Sequence, residues 1–169
     1  MQSMKSARSR RRALARMTTI VAGIVTVGIG AALTVQAQQP PNRAAQQIKY
    51  RQALYTVMSR DFGWFNAMSR GQTPFDAPEA AKRARRMEVV IGMLPEAFPE
   101  DSQGEQSKAK PEIWANKADF DQLMQDFQTR AAKLTQATAG GQEADIKAAV
   151  KDVSGACGQC HDKYKAKGH

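Results

Sequence analysis

Cysteine is almost missing from this 169-residue chain: there are two, Cys157 and Cys160, three positions apart. Histidine is as scarce, with His161 beside the second cysteine and His169 at the last position. A disulfide framework is therefore excluded, and a structural zinc site, which needs four ligands usually drawn from paired motifs, would have to recruit the final residue. Alternating apolar and polar runs are absent, so no strand pattern is legible. Internal repeats and low-complexity tracts are absent as well. Acidic residues are missing from the first 37 positions. That gap accounts for most of the net charge of +9, because six of the 25 basic residues stand in the first sixteen positions and the rest of the chain sets 19 basic against 16 acidic residues. A nucleic-acid footprint needs a concentrated basic stripe on the folded domain. None is visible, and no nucleic-acid partner is expected.

What is present begins with a leader. Lys5, Arg8, Arg10, Arg11, Arg12 and Arg16 precede an uncharged stretch from Met17 to Ala37, which closes on the small residues Val35 and Ala37. A positive start, an apolar centre and a small-residue boundary describe a secretory signal peptide. An uncleaved anchor is the alternative, since about 20 apolar residues span a bilayer. The V-Q-A boundary favours cleavage after Ala37. The expected organisation is a signal peptide over 1–37 and one domain over 38–169, exported to the periplasm and free of the membrane after cleavage.

The domain reads as helix throughout. Between Ala44 and Ser69, apolar residues recur at Ile48, Leu54, Tyr55, Met58, Phe62, Phe65 and Met68, with Gly71 as a stop. Asp76 is read as the N-cap of a second helix, with Pro78 in its first turn, that ends near Leu94, before Pro95. The segment from Pro95 to Pro111 carries three prolines and many polar residues, and it predicts a long surface loop. A third helix over 118–138 places Phe120, Met124, Phe127, Ala131 and Leu134 at helical steps before Gly140 and Gly141. A fourth, from about Glu143 to Lys165, aligns Ile146, Val150, Val153, Cys157, Cys160 and Tyr164. Four amphipathic helices with mostly short connections predict an all-α, antiparallel four-helix bundle.

That setting decides what Cys-Gly-Gln-Cys-His, residues 157–161, is for. A thioredoxin-type pair belongs at a strand-to-helix turn, which this chain lacks. A disulfide would close a tiny loop and strain a helical turn. Covalent haem fits. On a helix Cys157 lies one turn before both Cys160 and His161, so all three project to one side. Two thiols at this spacing can add to the two vinyl groups of one porphyrin, leaving His161 aimed at the iron as axial ligand. The expected cofactor is one covalent haem c per chain.

The chain resembles cytochrome c′, the class II c-type cytochromes, whose haem motif sits near the C-terminus. The resemblance rests on "IKYRQALYTVM", "GQTPFDAPEAAK", "KPEIWANKADFDQ" and "CGQCHDKYK". It implies that Arg51 and Gln52 meet a haem propionate, that Tyr55 looks onto the same haem one turn later, and that Phe120 and Phe127 wall the pocket. Lys165 falls where relatives carry a basic residue on the proximal side. Relatives often place an acid near the haem edge in the loop before Pro111. This chain has Lys108-Ala109-Lys110 there, and no haem contact is carried onto that loop. Trp114 is read as structural, and Trp64 has no assigned role.

The resemblance also frames the function. Low-spin members supply a methionine four residues after the basic residue of the first helix, and here that place holds Tyr55. A protonated phenol is a poor ligand for ferrous iron. The expectation is a five-coordinate, high-spin haem protein that binds NO and CO or passes electrons to an unidentified redox partner, with no turnover of its own. A low-spin electron carrier is the alternative, with Met58, seven residues after Arg51, as the thioether within reach. An enzyme lacks support, because no distal histidine paired with an arginine is found. A homodimer through the first two helices is usual for the family.

Overall fold

The computed structural model describes residues 42–167, all within one compact unit; the leader and His169 lie outside the described residues. Four long helices account for most of it: α1 (Arg43–Ser69), α2 (Ala77–Met93), α4 (Lys117–Gly140) and α5 (Glu143–Tyr164), with a one-turn α3 (Glu112–Ala115) before α4. Helix α1 packs on α2, α2 on α4 and α4 on α5, while α5 closes back on α1. No named strand occurs among the described residues, and one isolated bridge pairs Ala109 with Lys165.

Local chemistry sets the ends. The Asn42 side chain accepts from the Ala44 N–H at 3.0 Å, and the Asp76 carboxylate accepts from the Glu79 N–H at 2.9 Å, each supplying a donor-rich helix start with an acceptor. Pro78 occupies the first turn of α2. Beyond Met93 the chain tightens into a 3-10 turn, Leu94–Ala97, because Pro95 has no N–H to continue the helix. Helix α4 stops where Gly141 turns to φ 70°, a left-handed conformation that glycine adopts without a Cβ clash.

The bundle has a filled end and a hollow end. Phe65 and Met68 of α1, Ala80 and Ala84 of α2, Leu134 of α4 and Ile146 of α5 fill one end, each at most 1% exposed. The antiparallel order brings the start of α1, the end of α2, the start of α4 and the end of α5 together at the other. There the side chains leave a cavity.

The segment after α2 is exposed over much of its length, as expected of a surface loop, but it is anchored inward at a few positions. Leu94, Ala97, Phe98 and Ser102 are buried. Gly104 lies so close to α1 that a Cβ there would come 2.8 Å from Ile48 Cδ1. Polar composition hid these anchors, because a few backbone and serine oxygens of the loop turn to a charged side chain from α1 while its other polar residues face water.

Helices α1 and α2 are also joined by a buried charge. Asp61 is 1% exposed and accepts from Arg83 at 3.0 Å and from Arg86 Nε at 2.6 Å. Arg83 in turn lies over the Trp64 ring, 5.3 Å from its centroid, which gives Trp64 a packing role. Breaking a buried pair strands the remaining charge. Both arginines reach solvent and can rehydrate, so Asp61→Ala should cost about 3 kcal/mol, the low end for such pairs. Urea unfolding with an unchanged m-value would measure it. A loss within about 0.5 kcal/mol, typical of a surface site, would remove the clamp from the account.

Candidate functional site

The cavity at the hollow end measures about 610 Å³ and is walled by all four long helices and by the loop after α2. Its size falls in the range of roughly 300–1,000 Å³ usual for small-molecule and cofactor sites. Cys157, Cys160 and His161 of α5 border it, as do Arg51, Gln52, Tyr55 and Met58 of α1 and Phe120 and Phe127 of α4. Every site residue expected from sequence therefore meets at one place. Lys165 borders it too.

Helix α5 carries the reactive groups. Cys157 and Cys160 are half-buried free thiols on the cavity wall. Burial, and then the neighbouring Cys160, push the Cys157 thiol up to about 11, so both nucleophiles are held neutral in an apolar surround. Partial covering of its ring, and then the charge of Lys165, lower the imidazolium pKa of His161 from its ordinary value. A neutral imidazole is the form that ligates a metal. Among the described residues no cluster of three or more His, Cys, Asp or Glu side chains is placed to hold an ion, so the two cysteines have no further zinc ligands there.

The α1 side is built around Arg51, only 3% exposed. Its guanidinium donates to the Ala97 carbonyl at 2.9 Å, to Ser102 Oγ at 3.3 Å, to the Ser102 carbonyl at 3.2 Å and to Ser107 Oγ at 2.8 Å. It also stacks over Phe98, 4.6 Å from the ring centroid. Burial lowers its pKa from the ordinary value, yet a guanidinium stays protonated in proteins. The charge is met by dipoles and an aromatic face, with no carboxylate in the cluster. Gln52 is exposed and donates to the Gln106 carbonyl at 2.9 Å.

Tyr55 is half-buried, and desolvation pushes its phenol well above the usual tyrosine range, with Cys160 adding to the shift and Arg51 opposing it. Phe120 is 2% exposed and stacks against Phe98 at 4.8 Å and edge-on against Tyr164 at 5.5 Å. Phe127 is buried beside it on the same face of α4. Trp114 is structural, as expected: its indole N–H donates to the Pro99 carbonyl at 2.9 Å.

Several lining residues were missed. Phe62, Leu123 and Met124 border the cavity, and their helical spacing from Met58, Phe120 and Phe127 was a readable signal. Gln106, Ser107, Lys108 and Ala109 border it as well, although no contact had been assigned to that loop. Arg51 draws the loop inward, and sequence spacing carries no trace of such a bond.

The residues present fit a covalently held macrocycle: an apolar cavity of cofactor size, two unpaired thiols one turn apart on its wall, an imidazole beside the second, and a buried guanidinium lacking an anionic partner. Comparison with known proteins agrees. Residues 46–165 match the family model described as cytochrome c′. The chain is 38% identical over 121 residues to cytochrome c′ of Rubrivivax gelatinosus, covering 71% of this chain and 94% of that protein. It is 35% identical over 133 residues to cytochrome c-554 of Cereibacter sphaeroides, covering 76% and 86%. Among solved structures, the ferrous variant of cytochrome c prime from Alcaligenes xylosoxidans with bound NO superposes with a TM-score of 0.70 at 34% identity, covering 74% of this chain and 97% of that one. The chain belongs to the cytochrome c′ family, an all-α four-helix-bundle fold, and its cofactor is covalently bound haem c.

Proposed function

We propose that this member of the family is a periplasmic cytochrome with a five-coordinate, high-spin haem that binds NO and CO and exchanges electrons, with no turnover of its own. The observation that carries the reading is the single cavity in which Cys157, Cys160 and His161 face the start of α1 and of α4. In this reading Cys157 and Cys160 would hold the porphyrin through thioethers and His161 would ligate the iron. When bound, the haem supplies a redox-active iron with an open position for a neutral diatomic. Tyr55, Phe120 and Phe127 keep that position dry. Arg51 and Gln52 stand where an anionic carboxylate of the macrocycle would offset the buried guanidinium. The NO carried by the Alcaligenes protein supports placing a diatomic in the same cavity here.

Met58 gives the alternative, a low-spin electron carrier, a specific footing. It is buried, it borders the same cavity, and its thioether belongs to α1 as a sixth ligand would require. The test is an absorption spectrum of the dithionite-reduced protein with and without CO. A broad high-spin Soret band that sharpens on adding CO supports the five-coordinate reading, and a low-spin spectrum indifferent to CO overturns it.

Export and assembly are part of the proposal. Cleavage after Ala37 would give a mature chain beginning at Gln38, so intact mass should equal residues 38–169 plus one haem. No described helix is long and apolar enough to cross a membrane. A homodimer through α1 and α2 draws support from Val57, Val89 and Met93, large apolar side chains 42%, 65% and 38% exposed on those two helices.

A further inference from the structure

Two short lysine-bearing segments are fastened side by side at the cavity mouth. The Lys110 N–H donates to the Tyr164 carbonyl at 3.0 Å and the Ala166 N–H to the Lys108 carbonyl at 2.8 Å, which makes the antiparallel bridge between Ala109 and Lys165. The joined sequences are Lys108-Ala109-Lys110 and Lys163-Tyr164-Lys165-Ala166-Lys167. Bridged backbones run about 5 Å apart, so five lysines stand on two adjoining segments at the cavity mouth. Lys108 and Lys165 border the cavity itself.

The charge of this rim is largely free. Lys108, Lys165 and Lys167 are exposed and make no ion pair among the described residues. Lys110 donates to the Lys163 carbonyl at 3.1 Å, and Lys163 pairs with Asp119 at 3.1 Å. Acids do lie nearby, namely Glu112, Asp119 and Asp162. Asp119, however, is already shared between Lys163 and the Tyr164 hydroxyl. Neither bridged segment carries a large exposed apolar side chain.

We propose that this lysine rim is the docking surface for an acidic one-electron carrier protein, which brings its own redox group to the cavity mouth. The proposal rests on the electron-exchange part of the proposed function. One electron passes from the reduced partner to ferric haem, the partner leaves oxidised by one electron, and no proton moves. Hydrated ammonium groups suit this task, because they steer an encounter without demanding burial, giving fast and salt-sensitive association. A membrane surface is the poorer match, since interfacial anchoring draws on apolar side chains beside the basic ones.

The experiment uses the haem-loaded protein and a plant-type [2Fe–2S] ferredoxin as the acidic probe, titrated by calorimetry at about 20 mM and about 500 mM salt, on either side of the range where screening takes over. Lys108→Glu/Lys110→Glu/Lys167→Glu should weaken low-salt binding at least about tenfold, 1.4 kcal/mol, and the gap should close at high salt. Lys133→Glu, on α4 away from the rim, should change it less than about twofold, as expected of a charge beyond the contact. The triple Lys→Gln variant should fall between, and it serves if the charge reversals disturb folding. Absence of low-salt binding by the wild type overturns the proposal. So do equal affinities of wild type and triple variant, or an equal loss in Lys133→Glu. Rim-dependent binding to 3:1 phosphatidylcholine–phosphatidylglycerol vesicles without binding to ferredoxin assigns the rim to a membrane instead. Spectra and CO binding of the same samples report separately on the sixth position, so a low-spin result leaves the docking outcome readable.

Discussion

Replacing both thiols, Cys157→Ala with Cys160→Ala, should leave almost no folded protein in the periplasm. The reason is the hollow end of the bundle. A void of about 610 Å³, at about 24 cal/mol per Å³ for residual cavity volume, corresponds to roughly 15 kcal/mol. That is an upper bound, because walls relax and water enters. Even a third of it, about 5 kcal/mol, equals the whole stability of a weak domain. In the proposed reading the haem fills that space, and without thioethers from Cys157 and Cys160 only His161 and packing would retain it. Haem stain after denaturing electrophoresis should vanish, and helical circular dichroism of the purified chain should drop to that of a loose, non-cooperatively melting state. A strongly helical apoprotein with a sharp thermal transition would sink the idea. It would mean that the four helices pack well enough at the filled end, around Phe65, Leu134 and Ile146, to carry the bundle alone.

The comparison of sequence and structure follows from what periodicity can detect. Helical spacing located α1, α2, α4 and α5 to within a few residues, because each buries one continuous apolar stripe and has a legible boundary: Gly71 after α1, Asp76 and Pro95 around α2, and Gly141 between α4 and α5. That Cys157, Cys160 and His161 share one side of α5 was legible for the same reason, since three such residues on one helical turn have few other uses. Arg51 was harder. A charge on an amphipathic helix is ordinarily solvated, and resemblance alone marked this one. Its burial under Phe98 depends on oxygens from residues 97, 102 and 107, which are 46 to 56 positions away in sequence. Its partner Phe98 was missed, because a single aromatic in a Pro-containing, polar segment has no periodicity to report what it packs on. Ala156 was missed on α5 through its small size: it is buried at 4%, while its neighbour Cys157 stays accessible to the cavity.

Exchanging Tyr55 for methionine should convert the protein from gas binder to low-spin carrier. Tyr55 and Met58 both border the cavity from α1, three residues apart, so the backbone already presents two side chains to the space that His161 also borders. What separates them is chemistry. Desolvation holds the Tyr55 phenol protonated far above neutral pH, and a neutral phenol gives ferrous iron little. Thioether sulfur is a soft ligand suited to it. Tyr55→Met would therefore supply an internal ligand that competes with CO. Each 1.4 kcal/mol of internal ligation should lower CO affinity about tenfold. Tyr55→Ala should act the other way, opening the distal face and speeding CO entry with the high-spin spectrum retained. Met58→Leu is the control: it keeps the volume of a buried, 9% exposed side chain and removes only the sulfur. In a five-coordinate protein that change should leave the reduced spectrum untouched. If the wild type is instead low spin and Met58→Leu makes it high spin, Met58 is the sixth ligand and Tyr55 merely packs beside it. The rest of the site, with Cys157, Cys160 and His161 on α5 and the aromatic wall on α4, is the same in either outcome, so the side chain that α1 turns toward the iron selects between the two functions.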